Sequence, residues 1–186
     1  MKRTALLWIA TLLILLPELA QVTASASPKD EALLQRFICN TGYTLEKCLK
    51  DSAALRRAVA KYPAAQLGEW TWVLVRSEDW KPIVLPRGLN PDSPAFTYYR
   101  KRETFIEEAL IADVPGREVE LTRRWHMSID RLRDFAVAHE LGHALCGEKD
   151  EAKTNQVAQR LREGKPLTCE ANLEPIIRAG EGRRQR

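Results

Sequence analysis

The sequence predicts an α+β fold in which a small β-sheet packs against one long helix, with further helices on the N-terminal side. Three observations favour this class. Residues 69–77, EWTWVLVRS, alternate aromatic and β-branched residues as a strand does. Residues 128–146 place apolar side chains on one side of a helix, and residues 30–38 show a shorter pattern of the same spacing.

The N-terminus has the parts of a secretory signal peptide in their usual order. Lys2 and Arg3 precede an uncharged apolar run of 12 residues over 5–16, and small residues follow up to Ala26. A membrane-spanning helix needs about 20 apolar residues, so a retained anchor is the lesser alternative. We therefore predict a signal peptide over residues 1–26, export, and no stable membrane anchor after cleavage.

The remaining chain, residues 27–186, is long enough for one domain with a buried core. Without the three charged residues of the signal peptide it has 27 basic and 24 acidic side chains. This net charge of +3 is too small to indicate nucleic-acid binding. We predict a single domain over residues 27–178. The basic tail over residues 179–186 has no apolar anchor, and we predict that it is disordered.

The cysteines predict disulfides. Cys39, Cys48, Cys146 and Cys169 are an even number in a chain that is predicted to reach an oxidising compartment. Three pairings are possible. Cys39 with Cys48 and Cys146 with Cys169 are favoured because each pair closes a local loop.

Several short elements precede the long helix. In chain order we predict helices over residues 30–38 and 52–60, strands over 69–77 and 81–86, a loop over 86–94, and strands over 95–102 and 104–111. The last of these is equally compatible with a helix. Pro115 and Gly116 then form a turn.

Two helices end the predicted fold. Ser128 is a suitable N-cap for a helix that continues to about Cys146, and Gly147 suits the left-handed residue that ends it. A second helix follows, with Asp150 as its N-cap; it continues to about Glu163 and is ended by Gly164 and Pro166.

The long helix contains the sequence HELGH, which predicts a metal site. Residues four apart lie on the same face of a helix, so His139 and His143 can present both imidazoles to one zinc ion. Glu140 would lie beside the open coordination position, where a carboxylate takes a proton from a zinc-activated water. The competing interpretation is that both histidines are hydrogen-bonded core residues. Two histidines on one apolar stripe beside a glutamate favour the metal site.

A catalytic zinc site needs a third protein ligand. Cys146 is about 10.5 Å further along the helix than His139 and is too far away. We predict Glu151 as the third ligand, with Asp150 and Glu148 as alternatives. Glu151 shares a predicted inward face with Thr154, Asn155, Ala158 and Leu161. A carboxylate on such a face would be buried, and a buried carboxylate needs a positive partner such as zinc. Asn155 is a candidate to bind the outer N–H of one histidine.

HELGH followed by Glu151, with Thr154 and Asn155 three and four residues later, resembles the gluzincin branch of the zincin metallopeptidases. Residues 128–163 also resemble the small bacterial metallopeptidases of the ImmA/IrrE type. The resemblance implies a zincin-like fold, a glutamate ligand on the following helix, and a polar side chain four residues later that supports a ligand histidine.

Peptide hydrolysis also needs a donor for the developing oxyanion. His126, Tyr98 and Tyr99 are the candidates, although a packing role is the simpler interpretation for each.

We therefore expect an exported zinc-dependent metallopeptidase that hydrolyses a peptide or protein substrate, with Glu140 as general base. The alternative is a zinc-stabilised, non-catalytic accessory protein of a bacterial envelope or secretion system.

Overall fold

The computed structural model describes residues 34–169, which form an α+β fold with a small mixed sheet. The predicted signal peptide over residues 1–26 and the predicted tail over residues 179–186 lie outside the described residues. The single domain over 27–178 therefore stays a prediction. In the described part of the chain, no helix combines the length and the apolar character that a membrane span requires.

The sheet has four strands in the order β1-β2-β4-β3. Their bounds are Gln35–Cys39 for β1, Trp70–Val75 for β2, Ala95–Tyr98 for β3 and Glu103–Glu107 for β4. Strands β1, β2 and β4 run parallel, and β3 lies antiparallel to β4 at the edge of the sheet. In this register Thr97 of β3 is directly opposite Thr104 of β4.

Within residues 34–169, five helices accompany the sheet. They are α1 at Leu45–Val59, α2 at Ser77–Val84, α3 at Arg117–Trp125, α4 at Ile129–Cys146 and α5 at Glu151–Arg162. The predicted ends of α4 and α5 are confirmed. Ser128 and Asp150 occupy the N-cap positions, and the Asp150 carboxylate accepts a hydrogen bond from the backbone N–H of Lys153. Gly147 and Gly164 follow the helices with φ of 60° and 66°, a region that glycine enters without steric cost.

The core lies on both faces of β2, because alternate residues of a strand point to opposite sides. Trp72 and Leu74 pack in the larger cluster with residues of α1, α4 and α5. Val73 and Val75 pack on the other face, against Trp80 and Val84 of α2 and the neighbouring aromatic residues. Helix α4 therefore lies against the sheet, as predicted.

Two predictions of local structure were wrong, and one helix was missed. Residues 35–39 form strand β1 instead of a helix, because they pair with β2 and Phe37 stacks on Trp72 at 6.3 Å between ring centroids. Residues 81–84 belong to helix α2 instead of a strand, since Trp80 and Val84, four residues apart, are both fully buried on one face. Helix α3 was not predicted at all; Leu121 is its one buried residue.

The other elements agree with the prediction in kind. Helix α1 begins earlier than predicted, at Leu45. The predicted strands over 95–102 and 104–111 end early, at Tyr98 and Glu107, and short 3₁₀ turns follow. Both favoured disulfides, Cys39–Cys48 and Cys146–Cys169, are present.

Candidate metal site

Helix α4 brings its two histidines together. The Nε2 atoms of His139 and His143 are 3.0 Å apart. Their side chains are 13% and 10% exposed, so little water reaches the rings. Four residues of helix place one ring above the other, as the spacing predicts.

Glu151, the first residue of α5, adds a carboxylate. Its Oε2 is 3.0 Å from Nε2 of His139, and its Oε1 is 3.6 Å from Nε2 of His143. These three side chains form a group that could hold a metal ion. The expectation that Glu151 points inward was wrong, because its side chain is 73% exposed and reaches the histidines from the rim.

The two alternative carboxylates are engaged elsewhere. Oε1 of Glu148 accepts hydrogen bonds from the backbone N–H groups of Lys149 and Asp150, each at 2.9 Å. The Asp150 carboxylate caps α5 at 3.0 Å. The turn between α4 and α5 therefore uses these side chains for its own backbone, and only Glu151 joins the histidines.

The outer ring nitrogens determine which tautomer each histidine adopts. Nδ1 of His139 is 2.9 Å from Oδ1 of Asn155, and Nδ1 of His143 is 2.6 Å from the backbone carbonyl of Glu148. Both partners are acceptors, so each Nδ1 carries the hydrogen and each Nε2 keeps its lone pair. Burial and the neighbouring His143 lower the pKa of His139, which favours the neutral ring that a metal requires.

The resulting donor set fits a divalent cation. Two Nε2 lone pairs and a carboxylate converge, and three such acceptors repel one another unless something positive lies between them. Tetrahedral zinc with bonds of about 2.0–2.1 Å would separate its ligand atoms by about 3.3 Å. The separation of the two Nε2 atoms and that between Nε2 of His139 and Oε2 of Glu151, both 3.0 Å, are close to that value.

Glu140 lies next to this group and is almost completely buried, at 4% exposure. Burial raises its pKa to about 8; a hydrogen bond from Thr97 opposes the shift, and the charge of Glu151 adds to it. The Thr97 hydroxyl donates to Oε2 of Glu140 at 2.8 Å. Strand β3 thus contacts, through Thr97, the carboxylate that Glu140 of α4 presents.

The ligand group and Glu140 line one open cleft of about 470 Å³ between α4 and β3. Apolar and polar side chains from the loop after α2 and from β3 form its walls, among them Leu89, Asn90, Ser93 and Phe96. A smaller recess of about 150 Å³ adjoins it, with Trp125, Leu132 and Phe135 in its wall. Sequence reasoning missed these wall residues; the turn-rich stretch 86–94 was the available signal, since binding residues often lie in loops.

The three candidate oxyanion donors differ in position. Tyr99 lines the cleft, but its hydroxyl donates to the backbone carbonyl of Glu148. Burial raises its pKa to about 12, with the charge of Glu140 contributing. Tyr98 is exposed at the end of β3, and His126 is exposed at the C-terminal end of α3; neither lines the cleft.

No protein-family model matches this chain, and no curated protein matches it either.

Proposed function

We propose that this protein is an exported, zinc-dependent metallopeptidase with a zincin-like arrangement. One observation carries the proposal: three candidate ligand atoms converge at the mouth of an open cleft, and Glu140, a buried carboxylate from the helix of the two histidines, lines that cleft. A purely structural metal site has no use for Glu140 in that position. The two disulfides indicate an oxidising compartment, which agrees with export through the predicted signal peptide.

In this proposal the protein supplies binding and proton transfer. His139, His143 and Glu151 hold the ion, and Asn155 and the Glu148 carbonyl fix the two rings in the ligand tautomer. Zinc supplies Lewis acidity, which lowers the pKa of water and polarises a carbonyl group. An N₂O donor set with one position left over is the pattern of catalytic zinc sites.

Glu140 is the proton acceptor. The pKa of Glu140 is raised in the protein without metal, and a divalent cation held by the neighbouring ligands would favour the ionised carboxylate. The carboxylate takes the proton of the attacking water and then delivers it to the leaving amine. The substrate class is a peptide or protein that enters the open cleft.

The test begins with the mature protein and its Glu140→Gln variant. We expect one zinc per chain in both, by elemental analysis, and cleavage of a mixed peptide library by the parent only. Chelation should abolish the parental cleavage, and added zinc should restore it. Removal of a general base costs about 10²–10⁴-fold in rate. A Glu140→Gln variant that cleaves as fast as the parent would contradict the mechanism.

The same measurement identifies the third ligand. Glu151→Ala should weaken zinc binding by at least about a hundredfold, the upper end of the range for residues that merely support a ligand. Asp150→Ala and Glu148→Ala are the controls, because both side chains bind backbone N–H groups. A larger loss in either control would reassign the ligand.

A non-catalytic accessory protein stabilised by zinc is the second candidate. It is favoured by the absence, among residues 34–169, of a candidate oxyanion donor aimed at the cleft: Tyr99 is engaged with Glu148, and His126 and Tyr98 lie elsewhere. Stoichiometric zinc together with no chelator-sensitive cleavage of any library would support this candidate.

A further inference from the structure

A row of hydrogen bonds runs across the sheet from β2 to helix α4. The indole Nε1 of Trp70 on β2 donates to Oγ1 of Thr104 on β4 at 3.0 Å. Oγ1 of Thr104 is 3.0 Å from Oγ1 of Thr97 on β3, its cross-strand partner. Thr97 then donates to Oε2 of Glu140 at 2.8 Å.

The direction of this row follows from its first member. An indole N–H can only donate, so Thr104 accepts from Trp70 and has its own hydrogen left. Within residues 34–169, the one other partner of that hydroxyl is Thr97. Thr104 therefore donates to Thr97, and the Thr97 hydrogen is left for Glu140. Each bond polarises the next, and the row ends with a donor aimed at the carboxylate.

Burial keeps the row intact. Trp70 is 5% exposed, Thr104 is fully buried and Glu140 is 4% exposed, so little water competes for these groups. Oε2 of Glu140 is occupied by Thr97, and the described residues offer no hydrogen bond to Oε1. One carboxylate oxygen is thus fixed to the sheet, and the other is left for the cleft that Glu140 lines.

We propose that Thr97, supported by Thr104 and Trp70, is the positioning residue of Glu140: it holds one oxygen so that the other faces the reacting water. This inference rests on the proposed function, in which Glu140 is the base. None of the three residues belongs to the metal-ligating group, so their effect on zinc binding should be small.

The test uses variants that remove one hydrogen-bonding group each. Thr97→Val and Thr104→Val lose a hydroxyl with little change of shape, Trp70→Phe loses the N–H, and Thr97→Ser keeps the hydroxyl. Thr71→Val is the matched control, because Thr71 is another buried threonine of the sheet and its hydroxyl contacts Arg36 instead of this row.

In the kinetic arm, zinc-loaded proteins hydrolyse a single fluorogenic peptide chosen from the library that the parent cleaves. We expect Thr97→Val to lower kcat by about ten- to a hundredfold, since a small misplacement of a catalytic group has effects of this size. KM and zinc content should stay near the parental values, Thr97→Ser should recover most of the rate, and Thr104→Val should lie between them. A Thr97→Val rate equal to that of Thr71→Val, or a rate that falls only in step with zinc content, would overturn the proposal.

The structural arm tests whether Thr97 positions Glu140 even if the parent cleaves no peptide. Absence of cleavage by the parent would refute the proposed function and leave this test in place. Crystal structures of the zinc-loaded parent and Thr97→Val are compared. We expect the Glu140 carboxylate to rotate or to occupy a second rotamer in the variant. A carboxylate that stays within about 0.5 Å of its parental position would show that Thr97 does not hold it.

Discussion

At the scale of single residues, the sequence was sufficient to predict that His139, His143 and Glu151 come together, and insufficient for the surroundings of this group. The spacing of His139 and His143 implies their convergence, because helix geometry alone places them on one face. Asn155 also supports a histidine, as expected. Thr97 was not foreseen, since it lies 43 residues from Glu140 and only the packing of β3 on α4 brings it there.

Asp134 of α4 is a residue whose ionisation contributes to stability. Its burial raises its pKa, but hydrogen bonds from Tyr62 and Arg162 outweigh that effect and hold the pKa below the ordinary value. A lowered folded-state pKa stabilises the protein above the unfolded pKa of about 3.9 and ceases to do so as the pH falls through the folded value.

We therefore expect Asp134→Asn to lower the free energy of unfolding by about 1–2 kcal/mol at pH 7, a typical value for hydrogen bonds to a charged group after allowance for partial exposure. The difference from the parent should shrink as the pH falls from 5 to below 3. Urea unfolding at several pH values measures it. Asp130→Asn is the control, because Asp130 is 82% exposed on the same helix. A difference that does not change with pH would contradict the assignment.

At the scale of elements, the α4–α5 pair was predictable because its end signals and its periodicity agree. Elsewhere the local pattern was ambiguous. Residues 30–38 have helical spacing, yet pairing with β2 and stacking on Trp72 make residues 35–39 a strand. Residues 81–86 look like a short buried strand, but the informative spacing, Trp80 to Val84, begins before that run. Helix α3 has one buried residue, Leu121, so its sequence shows no repeated apolar spacing that would indicate a helix.

The close approach of α4 and α5 depends on Gly142, the glycine of HELGH. A Cβ at this position would lie 3.2 Å from Cγ2 of Thr154, 3.3 Å from its carbonyl oxygen and 3.3 Å from Cβ of Val157. Two of these atoms belong to the body of α5 and cannot rotate away. Oγ1 of Thr154 is also 3.2 Å from Nδ1 of His143, so a shift of Thr154 disturbs a proposed zinc ligand.

We expect Gly142→Ala to weaken zinc binding and to lower the free energy of unfolding of the metal-free protein by about 1 kcal/mol. Overpacking costs about 1–3 kcal/mol, and the better helix propensity of alanine returns up to about 1 kcal/mol. Zinc titration and urea unfolding in chelator measure the two effects. A variant that is more stable and binds zinc as tightly as the parent does would show that α5 can shift to accept the extra methyl group without loss of stability or zinc affinity.

At the scale of the whole molecule, one of the two disulfides lies next to the candidate metal site. Cys146 ends α4, and the next residues include Glu148, whose carbonyl accepts from His143. The Cys146–Cys169 bond closes a loop with a sequence separation of 23 that contains all of α5. Cys39–Cys48 closes a shorter loop, with a separation of 9, beside β1 and α1. The pairing was predictable because both loops are local.

We expect removal of either bond, by paired Cys→Ser substitutions, to lower the free energy of unfolding by about 3 kcal/mol, from the chain entropy of loops of this length. Only the loss of Cys146–Cys169 should also weaken zinc binding, which makes the Cys39–Cys48 variant the matched control. Denaturant unfolding and zinc titration of both variants test this. Equal zinc affinities in the two variants would show that the Cys146–Cys169 bond does not support zinc binding.

The proposed ligands and the proposed base depend on contacts at different sequence distances. All three candidate ligand side chains lie between residues 139 and 151, on two consecutive helices, whereas Glu140 also needs strand β3, more than 40 residues earlier. Short-range contacts form sooner than long-range ones. Under the proposed function, we therefore expect a folding chain to bind its ion while it is still incompetent for hydrolysis, and to gain activity only when β3 packs against α4.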